Sequence, residues 1–467
     1  MTTRRLETTT PQRLLNSKLC RKTYWGRSSS YRSSSRFLLS ATPLWLSPLT
    51  ALSFYTALYH FDGSFSELFL AFQDQGALQT LWTYSPSCSL KATAAYASWI
   101  ALQVILYVCL PGPTHTGQQT PAGHVLDYRT NGLNAWLATY TLLAVLAWAD
   151  IIDLSFVAEN WSGWFVAMNI AGFAVSTMAY VKAKIAPTHP DDMKLTGNAE
   201  LPFLRSSTYD YYMGIELNPR FGQRFDLKLF TNGRAGMMSW TLIGVSNVAL
   251  QYRTSGVVSV PLVLVTILHS IYVLDFFANE SWYLRTIDIT HDHFGFYLAW
   301  GCFTWLPMMY TLQAQYLGRY TTNPSPTYLT ITFSLGVIGY LIFRSVNSQK
   351  ELCRRTKGDC LIWGKPARYL KASYQTSDGV HHDTLLLYSG WWGVSRHCNY
   401  TGDLLLSTAM CAVVGTTKVL VWFYAIFMFG LLVHRCIRDE EKCLAKYGDS
   451  WKEYCKKVPW RLVPGVW

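Results

Sequence analysis

Apolar segments long enough, or nearly long enough, to cross a lipid bilayer recur along most of this chain. A helix needs about 20 mostly apolar residues to cross roughly 30 Å of hydrocarbon. Such segments lie near 41–60, 93–111, 132–152, 163–183, 236–251, 257–277, 294–316, 327–346 and 404–433. The last segment is long enough for two helices, and half of the 467 residues are hydrophobic. The sequence therefore predicts an all-α, polytopic integral membrane protein with nine or ten transmembrane helices.

Both ends of the chain are basic. The first 40 residues hold nine Lys and Arg side chains in a Ser-rich run, against the single acid Glu7. We interpret residues 1–40 as a disordered cytosolic tail rather than a transit peptide, because no short hydrophobic region with a cleavage site follows. The segment after Leu432 is also rich in Lys and Arg, as cytosolic segments next to spans usually are. We therefore expect both termini in the cytosol, an even count of about ten spans, and one multi-span domain over 41–467.

Signatures of several other protein classes are missing from the sequence. It contains no Walker loop and no GxGxxG motif after a strand, so a soluble nucleotide-binding domain is not predicted. The 11 cysteines include no CxxC pair, and no His lies at zinc-finger spacing, which argues against a disulfide framework and a structural zinc site. The few histidines do not form the His-rich boxes that hold two irons. We predict no metal site and no nucleic-acid partner.

The stretch 385–406, LLLYSGWWGVSRHCNYTGDLLL, places polar and aromatic residues between apolar runs. Trp391 and Trp392 offer flat faces for a planar ring, and the flanking glycines let a ligand approach the backbone closely. Asn399 and Asp403 supply hydrogen-bonding groups of defined geometry. This composition is typical of a cofactor pocket, but an interfacial belt of Trp and Tyr before the next span has it too. The residues alone leave both interpretations open.

The stretch 385–406 resembles, nearly residue for residue, a segment of the membrane sterol reductases that remove ring double bonds. Three further segments are similar in order and spacing, namely DYYMGIELNPRFG, NESWYLRTIDITHDHFGFYLAWG and LLVHRCIRDEEKCLAKYG. Together they span most of 201–467. The resemblance implies NADPH as reductant, a sterol substrate, the lipid bilayer as surroundings and the endoplasmic reticulum membrane as location. It also makes other enzymes of sterol biosynthesis candidate partners.

The resemblance further implies which residues bind NADPH, mainly within 344–467. Lys350 and Arg354 match the family's QKELCRR-type segment, and their spacing of four places them on one helix face at the end of a span. From position alone, an anchoring role at the cytosolic end of that span would be favoured, and the resemblance reverses this preference. The other residues that match cofactor-contact positions are Leu387, Trp392, Asn399, Tyr400, Asp439, Cys443, Leu444, Ala445, Lys446, Tyr447 and Tyr454.

A charged stripe follows the last apolar segment. Arg435, Arg438, Asp439 and Lys442 share one face of a helix that is expected to continue out of the membrane. Such a stripe is usually a solvated face. Asp439 among three cations is nevertheless suited to accept a hydrogen bond from a nicotinamide amide or ribose hydroxyl, or to orient the arginines.

A reductase of this kind also needs a buried acid. An unactivated carbon–carbon double bond is electron-rich, so a proton must arrive to create a carbocation that hydride then quenches. Ionisable residues inside a membrane are functional candidates, because burying them costs about 2.5 kcal/mol or more. We predict Asp292 and Tyr310 as catalytic pocket groups, followed by Tyr272, although a role as an interfacial anchor fits Tyr310 equally well.

The function that the resemblance implies is NADPH-dependent reduction of the C7–C8 double bond of a 5,7-diene sterol. A conjugated diene suits the chemistry, because its protonation yields an allylic cation. The IDITHDHFG and RTKGDCLIWGKP segments favour this branch over the C14 double-bond reductases. Two other classes are less consistent with the chain. A membrane methyltransferase for isoprenylcysteine has a similar C-terminal pattern but is usually far shorter, and the 40-residue tail is too short for the folded head of a non-catalytic sterol-binding scaffold.

Overall fold

The computed structural model describes residues 33–120, 122–193, 203–375 and 381–467. Within these ranges the chain is mostly helical. In the amino-terminal part the helices are α1 (Ser33–His60), α2 (Phe65–Gln75), α3 (Ala77–Thr83), α4 (Leu90–Cys109), α5 (Gly132–Trp148), α6 (Phe156–Glu159), α7 (Trp161–Ile185) and α8 (Phe203–Met213), with a 3₁₀ turn at Pro190–Asp192.

Two longer helical stretches in the middle of the chain each contain one π-helix. The first is α9 (Leu227–Phe230), a π-helix (Thr231–Met237) and α10 (Met238–Ser255). After α11 (Val260–Ala278), α12 (Glu280–Tyr283) and α13 (Ile287–Thr290) comes the second, formed by α14 (Phe296–Trp300), a π-helix (Gly301–Trp305) and α15 (Leu306–Met309). The remaining helices are α16 (Leu312–Leu317), α17 (Pro326–Arg355), α18 (Trp391–Val394), α19 (Cys398–Ala412), α20 (Val419–Tyr447) and α21 (Asp449–Lys457).

Five helices among the described residues, α4, α7, α11, α17 and α20, are long and apolar enough to cross a membrane. Every predicted apolar segment overlaps a helix, and the segment 404–433 divides between α19 and α20, as its length indicated. The count of ten spans stays a prediction. Segment 294–316 shows why fewer than ten helices are long enough to span. The π-helix and the end of α15 at Met309 divide this segment into short helices.

Part of the predicted tail is helical, since α1 begins at Ser33. Residues 1–32, which make up the rest of that tail, lie outside the described ranges.

The mostly helical fold was predicted correctly, but four short antiparallel hairpins among the described residues depart from an all-α fold. Their strands are β1 (Thr114–Thr116) with β2 (Asp127–Arg129), β3 (Arg220–Phe221) with β4 (Phe225–Asp226), β5 (Leu361–Ile362) with β6 (Lys365–Pro366), and β7 (Tyr369–Gln375) with β8 (His381–Leu387). In the longest hairpin Tyr369 pairs with Leu387 and Gln375 with His381. Ala372 in the middle of β7 is buried while its two neighbours are more exposed, which is the alternation of a strand with one covered face.

Close contact between the backbones of α17 and α19 fixes the region that the sequence assigns to the cofactor. A Cβ atom on Gly402 would lie 2.6 Å from the carbonyl oxygen of Gly339, and one on Gly339 would lie 2.7 Å from that of Gly402. Small residues permit such approach between membrane helices. Because Lys350 lies near the end of α17 and Asn399 near the start of α19, this contact sets their relative position.

Candidate active site: a basic cluster beside an aromatic cluster

Four cationic side chains gather where α17 and α20 end. Lys350 and Arg354 lie in the last two turns of α17, and Lys442 and Lys446 in the last two turns of α20. Lys350 interacts electrostatically with Arg354, and Lys446 with both Lys442 and Arg354. Asp439 is the acid that interacts with both Lys350 and Lys446. We call the four cations the basic cluster. Four positive charges around one carboxylate favour an anionic ligand.

Aromatic rings line the basic cluster. The Lys350 Nζ atom lies 4.3 Å from the centroid of the Trp392 ring, and the Lys446 Nζ atom 3.7 Å from that of Tyr374. Tyr374 in turn meets Tyr447 edge to face, with 5.9 Å between ring centroids. An ammonium group over an aromatic face is attracted to it, so these contacts hold the cations in place.

The position of Trp392 is fixed from two sides. Its Nε1–H donates to the carbonyl oxygen of Val346 in α17 over 2.8 Å, and the Tyr454 hydroxyl donates to the Trp392 carbonyl over 3.5 Å. Burial raises the pKa of the Tyr454 phenol, which keeps it a neutral donor. Leu387 packs in the same apolar cluster as Trp392. The structure thus brings Leu387, Trp392 and Tyr454 together, and their contact with a cofactor stays a prediction.

Asn399 carries a buried acceptor that no described residue satisfies. Its Oδ1 atom has no hydrogen-bond partner within the described ranges, and an unpaired buried acceptor costs about 1–3 kcal/mol. A ligand amide group that donates to this oxygen would remove that cost. The neighbouring Tyr400 stacks on His397, with 5.3 Å between centroids and 6° between ring planes.

The segment 443–447 divides into two groups. Cys443 contacts the Asp439 carboxylate, with 3.9 Å between Sγ and Oδ2, and Lys446 and Tyr447 belong to the ring contacts described above. Leu444 is 45% exposed and Ala445 is also exposed. Their side chains therefore lie apart from the basic cluster, and a cofactor contact by either one remains a prediction.

The charged stripe of α20 is bound to protein rather than solvated along its length. Arg435 Nη2 donates to both carboxylate oxygens of Asp288, over 2.8 and 2.9 Å. Arg438 forms an ion pair with Asp292, and the Lys442 ammonium reaches Thr290 Oγ1 over 3.4 Å. These contacts fix α20 to the segment 287–292, which includes α13. The arginines are therefore oriented by the acids of that segment.

Lys228 is a buried residue that the sequence analysis missed. Its ammonium donates to the backbone carbonyls of Asp288, Ile289 and Asp292, over 2.6, 3.0 and 2.6 Å. Burial lowers the pKa of Lys228 to about 8. Its position in DLKLF, within the short helix α9, gives no hint of this role in the sequence. Lys228 and α20 thus both bind the segment 287–292.

The surroundings of Asp292 disfavour it as a direct proton donor. Burial acts to raise the pKa of this carboxyl, but hydrogen bonds with His291 and Arg438 outweigh burial and hold the pKa below its usual range. The group is therefore a carboxylate at neutral pH. Through its ion pair, Asp292 positions Arg438 against the segment 287–292.

The two predicted tyrosines lie together in the interior. Tyr272 and Tyr310 both contact the buried Trp240, with ring centroids 5.2 and 5.7 Å apart, and Tyr310 lies 4.8 Å from Tyr424. We call Trp240, Tyr272, Tyr310 and Tyr424 the aromatic cluster. It packs within the main core, so Tyr310 is an interior residue rather than an interfacial anchor.

Asp403, which the sequence indicated only as a hydrogen-bonding group, lies beside the aromatic cluster. It is 7% exposed, and its carboxyl group interacts electrostatically with Tyr272 and Tyr310. Burial disfavours the charged form of a carboxyl group, so Asp403 is suited to hold a proton. The signal in the sequence was an acid directly before an apolar run, as in NYTGDLLL, since an ionisable residue inside a membrane is a functional candidate.

The basic and aromatic clusters adjoin each other at Tyr400 and Arg435. Tyr400 interacts electrostatically with both Arg435 and Asp439, and Arg435 also interacts with Tyr310. The two clusters are therefore neighbours in the fold. Two adjoining sites, one for an anionic ligand with planar rings and one for an apolar ligand, suit transfer between two molecules.

Comparison with known proteins identifies the family. The chain matches the ergosterol biosynthesis ERG4/ERG24 family over residues 52–467. It belongs to this family.

The chain is similar to several named sterol reductases. The 7-dehydrocholesterol reductase of Danio rerio is 45% identical over 410 residues, 85% of this chain and 84% of the relative. The Xenopus laevis enzyme of the same name is 45% identical over 407 residues, with the same coverage. The Delta(14)-sterol reductase of Methylotuvimicrobium alcaliphilum is 38% identical over 395 residues, 84% of this chain and 87% of the relative. The chain is accordingly an oxidoreductase-family protein of sterol biosynthesis.

Proposed function

We propose that this protein reduces the C7–C8 double bond of 5,7-diene sterols with NADPH. The observation that carries the proposal is the junction of the basic and aromatic clusters at Tyr400 and Arg435. The two vertebrate relatives named 7-dehydrocholesterol reductase support the choice of double bond.

The residues present fit NADPH. The basic cluster has the charge to hold its phosphates, and its Lys350 ammonium is held in place over the Trp392 ring. The unpaired Asn399 oxygen matches the donor of a nicotinamide carboxamide. Asp439 beside Lys350 is placed to accept from a ribose hydroxyl. When bound, NADPH supplies the hydride that adds to one carbon of the double bond.

The chain itself supplies the proton that adds to the neighbouring carbon. We assign this proton to the phenol of Tyr272, with Asp403 as the group that returns a proton to it, since the buried Asp403 carboxyl group acts electrostatically on that phenol. Tyr310 contacts the same Trp240 ring as Tyr272 and helps to enclose the substrate. The reaction then consumes one hydride and one proton for each double bond that becomes a single bond.

Reduction of the C14 double bond is the second candidate. It is favoured by the similarity to Delta(14)-sterol reductases, at 38% identity for the Methylotuvimicrobium alcaliphilum protein and 36% for that of Candida albicans. We place it second because the relatives with the higher identities of 45% carry the other name.

Expression in ergosterol-producing yeast distinguishes the two candidates. Ergosterol is itself a 5,7-diene, so we expect sterols that lack the C7–C8 double bond to appear in mass spectra, with loss of the diene absorbance. A parallel strain that lacks its own C14 reductase accumulates 8,14-dienes. If only that strain's sterols change, C14 reduction replaces our first proposal.

We also propose the endoplasmic reticulum membrane as the location, with about ten spans and both termini in the cytosol. This topology places the ends of α17 and α20, and with them the basic cluster, on the side where soluble NADPH is available. The bilayer supplies the sterol, and other enzymes of sterol biosynthesis are the expected neighbours.

A further inference from the structure

His269 is buried in the interior without a hydrogen bond to any described residue. It lies on α11 one turn before Tyr272, and it is 1% exposed. Neither its Nδ1 nor its Nε2 atom has a partner in the part of the chain that the structure describes. A buried polar group without a hydrogen-bond partner is unfavourable. A polar group of the substrate could supply the missing partner.

A second unpaired polar group touches His269. The imidazole ring lies 5.1 Å from the Trp240 ring at an angle of 60°, and the Trp240 Nε1–H is also buried without a partner among the described residues. A neutral imidazole has one donor and one acceptor, whereas an indole has only a donor. Two donors and one acceptor at adjacent rings match a hydroxyl group, which can donate once and accept twice.

We propose that His269, with Trp240, binds the 3β-hydroxyl group of the sterol. This inference rests on the proposed function. A sterol is apolar except for that hydroxyl on ring A, and the unpaired pair is set in otherwise aromatic surroundings, since Trp240 contacts Tyr272, Tyr310 and Tyr424. The hydroxyl donates to the acceptor nitrogen of His269 and accepts from the indole N–H.

The spacing of His269 and Tyr272 relates this contact to the position of the double bond. Residues three apart on a helix have Cβ atoms roughly 5–6 Å apart, so the hydroxyl-binding group lies close to the proposed proton donor. The C7–C8 bond is in ring B, next to the ring that carries the hydroxyl. The C14–C15 bond is in ring D, at the far end of the fused system. His269 therefore favours reaction in ring B and acts as a specificity-determining residue.

The test compares a 5,7-diene 3β-sterol with its 3-deoxy analogue on purified wild-type protein and on His269→Leu. We expect the wild type to prefer the hydroxylated substrate in kcat/KM by roughly 5- to 100-fold. We expect His269→Leu to lose most of that preference, because its kcat/KM should fall far more on the hydroxylated substrate than on the 3-deoxy analogue. Activity on the analogue thus also reports that the variant is folded. His269→Gln keeps a donor and an acceptor and should retain much of the preference.

Several outcomes would overturn the inference. A wild type that does not distinguish the two substrates excludes a hydroxyl contact without recourse to any variant. An equal loss on both substrates in both variants assigns His269 to folding or to the proton transfer. If the wild type reduces no 5,7-diene, the proposed function fails instead. Displacement of a radiolabelled 3β-sterol by hydroxylated and 3-deoxy competitors then tests the His269 contact separately.

Discussion

Removal of charge from the basic cluster should weaken NADPH binding unequally at its two α17 positions. Lys350 is half-buried over the Trp392 ring, whereas Arg354 is exposed. A hydrogen bond to a charged group contributes about 1.5–3 kcal/mol, which is roughly 10- to 150-fold in affinity. An exposed charge pair contributes about 0.2–1 kcal/mol, up to about fivefold. We therefore expect the larger increase in the KM for NADPH from Lys350→Met, which keeps the apolar stem on the ring, and the smaller from Arg354→Gln.

The assay follows NADPH oxidation at saturating sterol, with the KM for the sterol measured in parallel. Lys452→Met is the matched control, because Lys452 is an exposed lysine of α21 paired with Asp449, outside the basic cluster. An unchanged KM for NADPH in Lys350→Met would refute the assignment, and the lysine would then serve only as an anchor at the end of α17. A larger effect at Arg354 would refute the argument from burial.

Three further predictions concern packing, proton supply and topology. Gly402→Ala places a methyl group 2.6 Å from backbone atoms of α17 and should abolish monodisperse protein in detergent. The control Gly430→Ala, whose added methyl group meets nothing within 4 Å, should leave the protein monodisperse. Equal behaviour of the two variants would contradict the packing argument. Asp403→Asn should lower kcat by about 10²- to 10⁴-fold, while Asp292→Asn should mainly lower the melting temperature, because Arg438 loses its partner; the reverse pattern would restore Asp292 as the acid. Tags at both termini should be accessible to antibody when only the plasma membrane is permeabilised, and accessibility at one terminus alone would mean an odd number of spans.

Local patterns predicted the helices well, because a long apolar run has few alternatives to a helix. The division of 404–433 into α19 and α20 followed from length alone. The hairpin β7–β8 was missed, since a segment of seven residues between membrane helices carries too little periodic signal to stand out from a loop. The π-helices at Thr231–Met237 and Gly301–Trp305 likewise have no marker in the sequence.

The candidate site depends on contacts that one sequence cannot reveal. The pairs Arg435–Asp288 and Arg438–Asp292 join residues almost 150 positions apart, and nothing local to either residue specifies the other. For the same reason a solvated face was the usual expectation for the stripe on α20. The cofactor residues that meet around Trp392 were named only through the resemblance to sterol reductases, and their meeting point was not predicted. Asp403 was visible in the sequence, but its proximity to Tyr272 was not.

The origin of the two hydrogens added to the sterol tests the central claim most directly. Purified protein is given a 5,7-diene sterol with NADPH deuterated at the transferred position, and separately with ordinary NADPH in heavy water. Hydride transfer combined with proton donation by the protein predicts one deuterium in each product, on the two neighbouring carbons C7 and C8. Two solvent deuteriums and none from NADPH would contradict the account.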